Sequence, residues 1–137
     1  MGRYVALDWG EKRIGIAVSD ESHVLSQILI PALQNNAGFK KKFRLLKEKY
    51  HLEKVILGLP KNLRGETTKT GQSVLKFAEL LKKTFNLPVE LLDERFSSIQ
   101  ASARTRNFRA SKARRAGEID NQSAQILLET YLNKTRE

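Results

Sequence analysis

Arg3-Tyr4-Val5-Ala6-Leu7-Asp8-Trp9-Gly10-Glu11-Lys12-Arg13-Ile14-Gly15-Ile16-Ala17-Val18-Ser19 decides how the chain is read. Two largely apolar runs, Arg3 to Leu7 and Arg13 to Ser19, flank a polar turn over 8–12 and predict two strands of one hairpin. Gly15 inside the second run marks a close approach of another backbone or a ligand. Beyond the turn Asp20-Glu21-Ser22, Val24 to Ile30 reads as a third strand.

The periodicity then changes. Phe39, Phe43, Leu46 and Tyr50 recur at helical spacing, with Lys40, Lys41, Lys42, Arg44 and Lys47 between them. Asn35-Asn36 and Gly38 supply the start of that helix. Val55-Ile56-Leu57-Gly58 is a short continuous apolar run, the pattern of a strand covered on both faces. Residues 59–70 read as a polar loop. A second helix is predicted over 71–85 with Val74, Phe77, Ala78, Leu81 and Phe85 on one face. Val89 to Asp93 is a fifth strand, Ser97 to Asn107 a helix, 108–116 a basic loop, and Glu118 to Asn133 a last helix buried along Ile119, Ile126, Leu127, Thr130 and Tyr131. The order β-β-β-α-β-α-β-α-α predicts an α/β fold: a mixed five-stranded sheet with helices on both faces and right-handed crossovers.

The chain has 137 residues, which predicts a single domain over 1–137, and 40% are hydrophobic, enough for a real core. Cysteine is absent, which excludes disulfides and thiolate metal sites and fits a reducing compartment. The apolar stretch around Val24 to Leu33 is broken by Ser26, Gln27 and Pro31, so it is too short and too polar to span a membrane. The N-terminus lacks the layout of a signal peptide. A cytoplasmic protein with no membrane partner is expected. The net charge of +10 points to a polyanionic partner, nucleic acid above all. The plainer alternative is a lysine-rich surface serving solubility or heat stability.

Against that charge, three acidic positions stand out: Asp8 at the end of the first strand, Glu94 just past the fifth, and Asp120 near the start of the last helix. Sites in open α/β sheets form beyond the carboxyl ends of strands. Asp8 and Glu94 are therefore expected on one sheet edge. Carboxylates that meet repel one another unless a cation sits between them, and hard oxygen ligands suit Mg²⁺ or Mn²⁺. Each position has a plainer reading. Asp8 also fits a turn, Asp93-Glu94-Arg95 a surface salt-bridge cluster, and Asp120, like Glu118, a partner for the helix dipole. Asp93 is the weaker ligand candidate, because on a strand its side chain points opposite to that of Glu94. His23 and His51 are isolated and lack ligand spacing.

The stretch Asp8-Trp9-Gly10-Glu11-Lys12-Arg13-Ile14-Gly15-Ile16-Ala17-Val18-Ser19-Asp20 resembles the opening motif of the YqgF/RuvX family. Gly58-Leu59-Pro60 with Asn62 and Gly65, then Asp93-Glu94-Arg95-Phe96-Ser97, then Ile119-Asp120 with Ala124 and Tyr131-Leu132 follow in the family's order and cover essentially the whole chain. Trp9 stands where Tyr is usual and Ser123 where a small Ala is usual; neither touches a carboxylate. The resemblance implies a ribonuclease H-like fold related to Holliday-junction resolvases, and a nuclease that trims the 5′ end of precursor 16S ribosomal RNA in ribosome biogenesis. Junction resolution is the older suggestion. It also implies that Asp8, Glu94 and Asp120 are the catalytic carboxylates, holding one or two Mg²⁺ or Mn²⁺ ions.

Phosphate contacts are expected from the acid-free basic segment before Asp120, above all Lys112, Arg114 and Arg115, and from Arg64 in the 59–70 loop, read as a mobile substrate lip. Arg95 either holds the scissile phosphate or pairs with Asp93. The basic face of the 40–49 helix reads as solvated surface. Partners are expected to be structured RNA, with branched DNA as the alternative, and the protein to be a monomer or homodimer. A non-catalytic nucleic-acid-binding module competes with the nuclease. Nucleotide binding of the sugar-kinase kind is disfavoured, because one such domain lacks the facing half of the cleft and no Walker-type loop is present.

Overall fold

The computed structural model describes residues 2–28, 30–94 and 116–135, the last stretch with side chains from residue 121 onward. The elements in chain order are β1 (Arg3–Asp8), β2 (Arg13–Ser19), β3 (Ser26–Gln27), β4 (Leu33–Gln34), α1 (Phe39–Tyr50), β5 (Leu52–Leu59), α2 (Lys69–Phe85), β6 (Val89–Asp93) and α3 (Ala116–Thr135). The sheet runs β3-β2-β1-β5-β6, with β4 also paired to β2. The β1–β2 hairpin is antiparallel and places Asp8 opposite Gly15. β1 and β6 both lie parallel to β5, one on each side. The mixed sheet expected from the sequence is therefore present.

Strand alternation sorts the core into two layers. Val5 and Leu7 of β1, Ile14, Ile16 and Val18 of β2, and Val55 and Leu57 of β5 pack with Phe39 and Phe43 of α1 and with Val74, Phe77, Leu81 and Phe85 of α2. Ala6, Ala17, Ile56 and Leu92 point the other way, against Ala124, Leu127, Leu128, Tyr131 and Leu132 of α3. Among the described residues helices thus cover both faces, α1 and α2 on one and α3 on the other. Small side chains at Ala6 and Ala17 let α3 lie close to the sheet. Alternation adds Gly15 and Gly58 to that face.

Several boundaries differ from the sequence reading: β5 starts at Leu52 rather than Val55, α3 spans Ala116–Thr135 rather than 118–133, and three further differences have a clear physical cause. The expected strand over 24–30 is two short pieces, β3 and β4, so the described residues hold six strands where five were expected. Between the pairs Val18↔Gln27 and Ile14↔Leu33 the return chain carries two residues more than β2. That excess, with Pro31 inside it and unable to donate a hydrogen bond, breaks the ladder. The helix expected from residue 71 begins at Lys69, because Thr68 caps it: its hydroxyl accepts from the Gly71 amide at 3.0 Å. The 59–70 segment, expected as a polar loop, contains a small hairpin. Lys61 bridges Thr67, the Asn62 amide donates to the Glu66 carbonyl, and the Asn62 side chain accepts from the Arg64 and Glu66 amides at 3.0 and 2.9 Å. Gly65, at φ 83, supplies the left-handed turn of this small hairpin. The helix expected over 97–107 lies outside the described residues.

The two histidines do structural work. His51 closes α1 in a left-handed conformation, φ 51. His23 stacks on Tyr4 at 3.9 Å between ring centroids and bonds the Gly2 carbonyl through Nε2.

Candidate active site

The parallel pairing of β1, β5 and β6 brings the carboxyl ends of these strands to one edge. Asp8 is the last residue of β1 and Glu94 directly follows β6; both are half-buried. Alternation puts Asp8 on the α3 face, since Ala6 belongs to the α3-side core and Trp9 packs with the opposite layer.

Glu94 reaches the same face by crossing β5. A Cβ built on Gly58 would lie 2.6 Å from the Glu94 carboxylate oxygen Oε1, and 2.9 and 3.0 Å from the two methyls of Leu127. The carboxylate therefore rests on bare β5 backbone, in the space that any side chain at 58 would fill. The register sets Leu57 beside Leu7 and Leu92 beside Gly58. Gly58 thus lies level with Asp8, one strand over, about 4.8 Å away in the pairing direction. Two carboxylates that start from strands two positions apart therefore face the same end and the same side of the sheet. Asp93 pairs with Leu59, outside this arrangement.

α3 runs with its N-terminal end over this edge. The side chain of Asn121 fixes it there: Oδ1 accepts from the Ile16 amide at 2.8 Å, and Nδ2 donates to the Ile30 carbonyl at 2.8 Å. Both backbone groups belong to the stretch where the β3–β4 break removes strand pairing. Asn121 thus stands in for missing strand and pins the helix to β2 beside Gly15, the partner of Asp8. Asp120 is the fifth residue of α3, immediately before Asn121. Its backbone is thereby held at the Asp8 end of the sheet, one turn before Ala124 and two turns before Leu127. At the other end of α3, the Lys54 ammonium donates to the Tyr131 hydroxyl at 2.8 Å and lies 3.7 Å from Glu90.

Arg64 is exposed on the hairpin that follows β5. Arg95, Lys112, Arg114 and Arg115 lie outside the described residues. Among the described residues no group of three His, Cys, Asp or Glu side chains is close enough to hold a metal. No helix among them is long and apolar enough to cross a membrane.

Sequence reasoning assigned no role to two residues that this geometry depends on, Gly58 and Asn121. For Gly58 a signal existed: a glycine ending an apolar strand, where close approach is the usual reason for it. For Asn121 only its place beside Asp120 in a motif was visible.

The fold is ribonuclease H-like. T. thermophilus RuvC, solved in complex with Holliday junction substrate, superposes with a TM-score of 0.60 over 99% of this chain and 97% of its own, at 10% identity. The chain belongs to the RuvX family, described as Holliday junction resolvase, whose model matches residues 2–134. A relative from Thermoanaerobacter pseudethanolicus is 35% identical over 98% of both chains. Another from Bacillus licheniformis is 36% identical over 96% of both. Both relatives bear the provisional name pre-16S rRNA nuclease.

Proposed function

We propose that residues 1–137 act as one metal-dependent nuclease domain in the cytoplasm, hydrolysing phosphodiester bonds of precursor 16S ribosomal RNA and trimming its 5′ end in ribosome biogenesis. The observation that carries this reading is the Glu94 carboxylate laid over Gly58, level with Asp8, on the edge where the parallel strands end. The names of relatives covered almost end to end support the RNA substrate. The net charge of +10 supports a polyanion in general.

The donor set fits a hard divalent cation. Asp8 and Glu94 offer carboxylate oxygens, and the chain has no cysteine to favour a softer metal. Asp8, Glu94 and Asp120 would hold Mg²⁺ or Mn²⁺. Bound there, the ion supplies Lewis acidity toward a phosphodiester and an activated water. Asp8 and Glu94 are held by strand pairing and by contact with β5, so little reorganisation is needed when substrate arrives. Asp120 joins them from a helix whose start is pinned by Asn121. Arg95, Lys112, Arg114, Arg115 and Arg64 would hold phosphates along the strand. No protein nucleophile is required.

A second reading, resolution of four-way DNA junctions, is favoured by the family's description and by the likeness of fold to RuvC. One experiment separates the two. A precursor 16S leader RNA and a four-way DNA junction are incubated with Mn²⁺ and either wild type or Asp8→Asn. RNA cleavage that Asp8→Asn abolishes while binding persists is the expected result. Junction cleavage alone would move the substrate to DNA. Binding of both without cleavage would make the protein a scaffold.

A further inference from the structure

The hairpin over 61–67 exposes one side chain in a way that packing does not explain. Leu63 is 95% exposed, whereas the next most exposed large hydrophobics among the described residues, Leu25 and Leu45, reach 60% and 59%. Single surface leucines are ordinary. This one sits at the tip of a built structure. Asn62 spends its side-chain oxygen on the Arg64 and Glu66 amides and its Nδ2 on the Glu66 carboxylate at 3.3 Å. The base of the hairpin is wedged between the end of β5 and the start of α2: a Cβ on Gly71 would meet Thr67 Cγ2 at 2.8 Å and the Pro60 carbonyl at 2.9 Å. The backbone that carries Leu63 is thus braced on both sides, and the side chain is held out into water.

The surroundings indicate what it meets. Lys61, Arg64 and Lys69 flank the tip, with Glu66 the one acid among the residues from 60 to 70. An apolar tip with three cations within six residues of it in the chain suits a surface that is both anionic and flat-faced, which is a nucleic-acid strand. Leu63 is five residues past Gly58, the residue under the Glu94 carboxylate, so the tip lies within about 18 Å of chain from it. That reach corresponds to roughly five base steps along a stacked strand.

Resting on the nuclease reading above, we infer that Leu63 is a wedge that inserts between adjacent bases of the substrate near the scissile phosphate. Aliphatic side chains used this way unstack a base step and bend the strand, while neighbouring cations hold the phosphates on either side. Here the bend directs the backbone across the ends of β5 and β1, where Glu94 and Asp8 stand. Arg64 acts with it as the phosphate contact. The preference that results is for a strand whose bases unstack easily, not for a base identity.

The test uses the full chain and a precursor 16S leader RNA carrying 2-aminopurine at single positions around the mapped cut. Leu63→Ala, Leu63→Met and Leu63→Lys are compared with wild type for cleavage, binding and 2-aminopurine fluorescence. The exposure of Leu63 leaves folding intact, which circular dichroism checks. Wild type is expected to raise the fluorescence of one or two adjacent positions on binding. Leu63→Ala loses that signal and about ten-fold in kcat/KM, a part of the few kcal/mol that unstacking a base step involves, and Leu63→Met keeps both. The wedge is overturned if Leu63→Ala cleaves like wild type with the fluorescence rise intact. It is equally overturned if Leu63→Lys binds more tightly and cleaves normally, because the tip would then be an electrostatic contact only. A wild type that neither binds nor cleaves the RNA removes the nuclease reading itself, and the wedge with it.

Discussion

Gly58→Ala separates the packing of this site from its chemistry. The new Cβ would stand 2.6 Å from Glu94 Oε1 and 2.9 and 3.0 Å from the Leu127 methyls. All three atoms are ends of flexible side chains, so they yield before the backbone does. Overpacking of this kind costs about 1–3 kcal/mol. The φ of Gly58 is not in the left-handed region. Replacing glycine therefore returns about 0.4–1 kcal/mol by stiffening the unfolded chain. The net loss is about 1–2 kcal/mol, a fall of roughly 3–7 °C in Tm for a chain this size. The effect on chemistry is larger. To regain ordinary contact at 3.4–4 Å, Glu94 Oε1 must retreat by about 1 Å, a misplacement that costs on the order of 100-fold in rate. Thermal melts by circular dichroism and initial rates of RNA cleavage in Mn²⁺ measure the two effects on one preparation. Adding Leu127→Val relieves part of the crowding but leaves the Glu94 overlap, so it restores stability without restoring rate. A Gly58→Ala protein that cleaves at the wild-type rate would refute the reasoning, since Glu94 would then not be needed where it rests. So would a rate loss that follows unfolding alone.

Four further outcomes are expected. Asn121→Ala leaves the Ile16 amide and the Ile30 carbonyl without their partner; at about 1–3 kcal/mol for each buried group left unsatisfied, urea denaturation should show a loss of several kcal/mol. Glu94→Gln should abolish cleavage whereas Asp93→Asn, on the opposite side of the strand, keeps it; equal losses would mean that the two carboxylates act together. Chelation by EDTA should stop cleavage, with Mg²⁺ or Mn²⁺ restoring it, and activity that persists through dialysis against chelator would count against a metal mechanism. The Tyr131 hydroxyl beside Lys54 lifts the lysine above its usual 10.5, and burial lifts Tyr131 above its usual 10.0. Both groups hold their protons more firmly in the folded state, so their contribution is complete below pH 10 and is lost as pH rises through the folded values. Tyr131→Phe should therefore flatten the alkaline limb of the stability profile, and an unchanged limb would remove this pair from the account.

Much of this architecture is written in local patterns. Short, largely apolar runs between turn residues mark β1, β2 and the middle of β5, and a helical period marks α1 and α2, because side-chain direction repeats every 3.6 residues on a helix. The placement of Asp8 and Glu94 at strand ends needed only strand boundaries and the parallel order of β1, β5 and β6. The sequence was weaker wherever one segment repairs or makes room for another. Near Val24 to Ile30 only Pro31 hints that the strand breaks, since the break depends chiefly on two surplus residues measured against β2. Asn121 completes that broken edge from 105 positions away in the chain. The segment over 59–70 read only as a polar loop because its bonds run from one side chain, Asn62, to backbone amides, a pattern that composition does not carry.

By itself, then, the sequence determined the long strands and the helices α1, α2 and α3, the helices on both faces of the sheet and the carboxylates at the strand ends, since periodicity and burial act between near neighbours. Only the tertiary structure decided that Glu94 crosses β5 on the bare backbone of Gly58 to stand beside Asp8, and that Asn121 pins α3 over the same edge. Both depend on which atoms occupy a shared volume once distant segments meet, and excluded volume and hydrogen-bond completion exist only when that packing is in place.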